Sequence, residues 1–143
     1  MTHLLFRSVW TVRHLLFLAY LLFFSYGMFS ARPPAVLLMP FAHWDKVLHV
    51  LAFLGLSLCT ALVLMQRPWA WLAWPVLLVV APGTEYLQHV VQPRRDFSLG
   101  DIVANGVGVL LAAGLWPGLR LLFLPFVLRR TPARHRDSGG SPG

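Results

Sequence analysis

Charge is the scarcest commodity in this chain. Only 12% of its 143 residues are charged, and five of those are acidic. An ordinary soluble domain carries about a quarter, so a fully water-facing surface is excluded. Cysteine occurs once, as Cys59 within an apolar run. No intrachain disulfide can form, and Cys59 reads as a packed thiol. No internal repeat is found. What fills the space is apolar: 57% hydrophobic residues, with ten Phe, six Trp and eleven Gly. That composition belongs to a small integral membrane protein.

Crossing the hydrocarbon layer takes about 20 mainly apolar helical residues. Four stretches approach that length, at residues 10–29, 47–65, 69–88 and 102–119. The sequence therefore predicts an all-α protein, a four-helix transmembrane bundle over residues 1–128. Residues 129–143 are polar and basic and read as a disordered cytoplasmic tail. Arg7 and Arg13 precede the first run as they would in a secretory signal. The run is long, however, ends in the weak cleavage context Phe29-Ser30-Ala31-Arg32, and three more runs follow, so it reads as a retained helix.

Basic residues set the orientation. With both termini in the cytoplasm, the inner face holds Arg7, Arg13, Arg67, Arg120, Arg129, Arg130, Arg134 and Arg136, and the outer face holds Arg32, Lys46, Arg94 and Arg95. The inner excess satisfies the positive-inside rule. Four of the five acids (Asp45, Glu85, Asp96 and Asp101) then share the outer face with those four cations and balance them. The basic tail meets anionic lipid or fixes topology, and topology accounts for the arginines without nucleic acid.

Local signals refine the picture. Pro33-Pro34 and Pro40 make residues 30–44 an extended outer loop, with 36–39 dipping into the interface. Gln66-Arg67-Pro68 is a tight inner turn, and Trp69, Trp71 and Trp74 beside it form an aromatic belt. Pro82-Gly83 is expected to kink or loosen the third helix one turn before Glu85. The fourth helix is expected to begin at Asp101 and to end or bend at Pro117-Gly118, leaving 121–128 in the inner interface. Ala104, Gly108 and Ala112 form a small-residue strip suited to close helix packing.

Polar groups recur one turn apart on three helices, which puts each set on one face. They are Asp45, Lys46 and His49; then Glu85, Gln88 and His89; then Asp101 and Asn105. All lie at the outer helix ends, beside Arg94 and Arg95. Asp45 and Asp101 each have a plain alternative as helix caps, Lys46 as a snorkelling cation, and His49 and Asn105 as interhelical hydrogen bonders. Glu85 has no cation on its own helix. It must find Lys46 or an arginine, share a proton, or carry a raised pKa.

This ordered set resembles the VanZ-like family of small bacterial membrane proteins. The matching residues are Asp45-Lys46-Val47-Leu48-His49 with Phe53, then Glu85-Tyr86-Leu87-Gln88, an arginine, Ser98-Leu99-Gly100-Asp101, Asn105 and Gly108, over about half the chain. Either Arg94 or Arg95 is the motif arginine, depending on the direction of counting. Ala112 stands where a second glycine is expected, and Pro82-Gly83 is a departure. The resemblance implies a four-helix protein of the bacterial cytoplasmic membrane, in a family named for a member associated with resistance to the glycopeptide teicoplanin.

Two functions follow as expectations beside a third, a transporter or purely structural partner, and the sequence leaves the choice open. In the first, Lys46, Arg94 and Arg95 hold an anionic lipid headgroup, cell-wall precursor or glycopeptide-related ligand, with Asp45, Gln88, Asp101 and Asn105 completing the site. In the second, His49 and Glu85 are the acid/base pair of an enzyme acting on a lipid-linked or cell-wall substrate. Ser98 and Thr84 qualify as nucleophiles by residue type alone. No ligand pair of recognised spacing marks a metal site, so none is expected. A metal variant would draw on His49, Glu85 and Asp101. No cofactor is identified.

Overall fold

The computed structural model describes residues 2–30, 43–92 and 96–128, with side chains placed from residue 10 to residue 122. Four helices make up the described chain: α1 Thr2–Phe29, α2 Trp44–Leu64, α3 Ala73–Val91 and α4 Leu99–Leu128. A single 3-10 turn, Ala70–Leu72, leads into α3. Each helix contains a segment long and apolar enough to cross a membrane, which is the architecture of a multi-pass membrane protein. Large apolar side chains face outward all around the bundle, Leu22, Val79 and Leu99 among the most exposed. An aqueous surface would not tolerate such a girdle; lipid would.

The helices alternate in direction. Arg13 near the start of α1 reaches the carbonyl of Leu62 and the side-chain oxygen of Gln66 at the end of α2. At the other end of the bundle, the Gln88 amide of α3 donates to the Met28 carbonyl of α1. There too, the Gln92 side chain of α3 donates to the Ser30 carbonyl. Thus α1 and α3 finish where α2 and α4 begin.

The core is small and lies on one side of α2. Phe24, Met28, Phe53, Leu56, Leu77, Ala81 and Val109 form it, with Phe24 and Phe53 edge to face at 5.3 Å between centroids. The tightest seam joins α2 and α4. The small-residue strip lies on it: Ala104, Gly108 and Ala112 are all buried. A β-carbon on Gly108 would strike the Val50 carbonyl and come within 2.9 Å of the Leu54 nitrogen. Glycine is what lets the two backbones approach this closely. Tyr20 ties α1 to α2, donating its hydroxyl to the Ala52 carbonyl at 2.9 Å.

Several expectations need correction. Helix α2 starts three residues earlier than expected, at Trp44, after His43 in the left-handed region (φ 70) with no side-chain cap, so Asp45 is not the capping residue. Helix α4 starts at Leu99 and is capped by Ser98, whose Oγ accepts the Asp101 backbone N–H at 3.2 Å. Asp101 is therefore released from the capping role. Pro117-Gly118 does not end α4. Helix α3 continues through Pro82, and α4 runs unbroken past Pro117 to Leu128, absorbing residues 121–128. In surroundings without water, keeping the remaining backbone bonds outweighs the one bond a proline removes. Of the three belt tryptophans, Trp69 and Trp71 are exposed, but Trp74 packs against the core. The expectations for residues 31–42, for Arg94 and Arg95, and for the tail 129–143 lie outside the described residues.

Candidate functional site

At the end of the bundle where α2 and α4 begin and α3 finishes, five polar side chains are withdrawn from solvent. His49, Glu85, Gln88, Asp101 and Asn105 are each at most 3% exposed. Such burial is costly unless every group is answered by a partner. Helix geometry explains how they meet. His49 and Asn105 lie one turn inside the first residues of α2 and α4, and those helices touch through the Gly108 seam just below. Glu85 lies near the end of α3, level with the Ser98 cap.

His49 is held from both sides. Its Nδ1 lies 2.9 Å from Asn105 Oδ1, and its Nε2 faces Asp101 Oδ2 at 3.5 Å. With Nδ1–H donated to the amide oxygen, Nε2 either carries a second proton and donates it to Asp101 or, in the neutral ring, turns its lone pair toward that carboxylate. Asp101 turns its other oxygen to Lys46, whose ammonium sits 3.0 Å away and also 3.4 Å from Asp45. Lys46 does not simply snorkel outward. It stands at the mouth, about a third of its side chain in contact with the surroundings, and points back at Asp101. Gly100 leaves the space it needs, since a β-carbon there would come within 2.9 Å of Lys46 Cε.

Glu85 is answered from an unexpected direction. In a familiar capping box, the acid at the third helical position reaches back to the N–H of the cap residue. Here Asp101 has that position, yet the Ser98 N–H donates to Glu85 Oε1 at 3.1 Å. A carboxylate from α3 thus stands in for the one from α4, which is turned toward Lys46 and His49. The second oxygen of Glu85, Oε2, is buried with no hydrogen-bond partner among the described residues. Gln88 Oε1 and Asn105 Nδ2 share that condition. One ligand-capable atom each from His49, Glu85 and Asp101 lies within 4.8 Å of the other two.

The site residues named from sequence thus fall into three groups. Lys46, His49, Glu85, Asp101 and Asn105 converge. Gln88 is buried beside them but spends its amide N–H on the Met28 carbonyl, tying α3 to α1. Asp45 is exposed at the rim, with half its side chain uncovered. His89, one residue beyond Gln88, points outward toward Phe97. Neither candidate nucleophile is primed. Thr84 donates its hydroxyl to the Val80 carbonyl, and Ser98 is engaged as a helix cap. Sequence reasoning missed Ser98 as the backbone donor to Glu85; the signal available was its place three residues before Asp101. Among the described residues the cluster holds three carboxylates against one ammonium, an acidic balance.

No protein-family model, no curated protein and no solved structure matches this chain. Functional inference therefore starts from the residues of the cluster.

Proposed function

We propose that this chain is a VanZ-like integral protein of the bacterial cytoplasmic membrane, both termini inside, whose polar cluster is a working site opening on the outer face. One observation carries the reading. The residues of the resemblance, drawn from three separate stretches of sequence, include those withdrawn together at one end of the bundle: His49, Glu85, Gln88, Asp101 and Asn105. A bundle needing only stability would fill that volume with apolar side chains. The ligand in this reading is an anionic lipid headgroup, cell-wall precursor or glycopeptide-related molecule. Lys46 meets it at the mouth, and Arg94 and Arg95, in the connection between α3 and α4, supply further cations.

A second reading has an observation of its own. His49 is oriented through both ring nitrogens, by Asn105 and by Asp101, as a proton-transferring histidine must be. Glu85 alongside offers a carboxylate oxygen with no partner among the described residues. In this version the cluster acts on a lipid-linked or cell-wall substrate, with His49 and Glu85 as the acid/base pair. In the hydrolytic form of this reading, one member of the pair takes a proton from water as its oxygen attacks the substrate, and the other protonates the leaving group as its bond to the substrate breaks.

Binding of a polyprenyl phosphate to the full chain in lipid nanodiscs tests the proposal, alongside teicoplanin susceptibility of cells expressing it. Losing binding in Lys46→Met, Arg94→Gln and Arg95→Gln but not in His49→Gln favours the binder. Intact binding with turnover lost in His49→Gln and Glu85→Gln favours the enzyme. If all five variants match the parent in both assays, the cluster is scaffolding and both readings go.

A further inference from the structure

We infer that His49, Glu85 and Asp101 form a centre for one divalent transition-metal ion, zinc or manganese. The inference rests on reading the cluster as a working site, though not on the identity of the headgroup bound there.

Geometry comes first. The three residues sit on three different helices, all at least 97% buried, with one ligand atom of each within 4.8 Å of the other two. Ligands bound at about 2.0–2.2 Å stand about 3.5 Å apart around a tetrahedral ion. The His49 Nε2 to Asp101 Oδ2 separation is already 3.5 Å. The other two edges are no longer than 4.8 Å, a gap that side-chain rotation of Glu85 can close.

The surroundings complete each ligand in the manner of a metal site. A ligating histidine commonly donates its second ring N–H to an oxygen, which fixes the tautomer and aims the lone pair. Asn105 Oδ1 does this for His49. Ligating carboxylates are themselves hydrogen-bonded, as Asp101 is by Lys46 and Glu85 by the Ser98 N–H. Glu85 Oε2 supplies the independent pointer: a fully buried carboxylate oxygen with no partner among the described residues.

Charge adds a further reason. Among the described residues, the ammonium answering the two buried carboxylates is that of Lys46, which is shared with Asp45. A dication between Glu85 and Asp101 would neutralise both carboxylates. One imidazole with two carboxylates suits zinc or manganese better than the all-oxygen sets typical of magnesium and calcium. Three protein ligands leave a coordination position open, and the nearby Lys46 marks the side from which an anionic oxygen would arrive. Such a centre would reconcile an acidic cluster with an anionic ligand, and would act on a substrate as a Lewis acid.

The test uses the full chain, untagged by histidines, purified in detergent without chelator. Elemental analysis is expected to find about one zinc or manganese per chain. After stripping, Co2+ is expected to bind with visible absorption typical of nitrogen and oxygen ligation. His49→Gln, Glu85→Gln and Asp101→Asn should each abolish equimolar uptake. Asn105→Ala, acting through His49, should weaken it about 10–100-fold. Lys46→Met and the surface change His89→Gln should retain it. No saturable uptake of Zn2+, Mn2+ or Co2+ by the parent protein overturns the inference without recourse to any variant. So does uptake that survives Glu85→Gln unchanged. Metal uptake without polyprenyl phosphate binding keeps the centre and removes the headgroup reading; binding without uptake does the reverse.

Discussion

The backbone N–H of Ser98 donates to Glu85 Oε1 at 3.1 Å, so the residue that opens α4 also holds the buried carboxylate of α3. Two elements are locked by one bond: the helix cap and the acid. Position 85 therefore has a structural duty apart from any chemistry, and substitutions there separate the two. Glu85→Gln keeps an acceptor oxygen for Ser98, whereas Glu85→Ala leaves that N–H unanswered. Glu85→Ala is expected to lose about 1–3 kcal/mol of stability, and Glu85→Gln much less. Thermal unfolding of the two variants in the same detergent checks this. Equal losses would mean that the Ser98 bond contributes nothing.

The seam between α2 and α4 gives a matched pair of glycine changes. A β-carbon on Gly108 meets the backbone of Val50 and Leu54, which cannot swing aside, while one on Gly106 meets nothing within 4 Å. Gly108→Ala should force the helices apart at a cost of about 1–3 kcal/mol. Gly106→Ala should gain about 0.5–1 kcal/mol from helix propensity. Opposite shifts in melting temperature are the expected result.

Much of this was legible in the sequence, for identifiable reasons. Four apolar runs suffice to locate four helices, because a lipid-facing helix must be apolar around most of its girth. Part of the cluster was legible too: helical spacing pointed to His49, Glu85, Asp101 and Asn105, but also to Asp45, which lies at the rim, and to Gln88, which turns to Met28. Roles within the cluster were not legible. Whether Asp101 caps its own helix depends on who else reaches the Ser98 N–H, and the answer, Glu85, comes from 13 residues away. The end of α4 was less legible: the helix runs on past Pro117 to Leu128, where the proline-glycine pair offered an end or a bend. Water penalises a broken helix far less than lipid does, and the familiar expectation belongs to water.

Lys46 faces two carboxylates, and they should not count equally. Asp101 is buried and 3.0 Å away; Asp45 is half exposed and 3.4 Å away. Exposed pairs contribute about 0–1 kcal/mol, so Asp45→Asn should be close to neutral. Lys46→Met strands the buried Asp101 carboxylate without its ammonium. Since a third of the lysine side chain is itself exposed, the expected loss is about 1–2 kcal/mol, at the lower end for a charged hydrogen bond. Chemical denaturation of both variants measures the difference, and a larger loss for Asp45→Asn would reverse the assignment.

Orientation decides on which side of the membrane the cluster opens, and it can be read with a single label. Cys59 lies within α2, so replacing it with alanine gives a thiol-free background. Asp96 is exposed at the cluster end, and Pro68 is exposed in the turn at the opposite end. In intact cells, a membrane-impermeant maleimide should label Asp96→Cys, and should label Pro68→Cys only after the membrane is opened. The proposed sense follows the positive-inside rule, since reversing it would carry eight arginines outward. Labelling of both sites from one side would be incompatible with helices that alternate across a bilayer. A fully inverted pattern would keep the bundle but face Lys46, His49 and Glu85 toward the cytoplasm, where no cell-wall precursor bound outside could reach them.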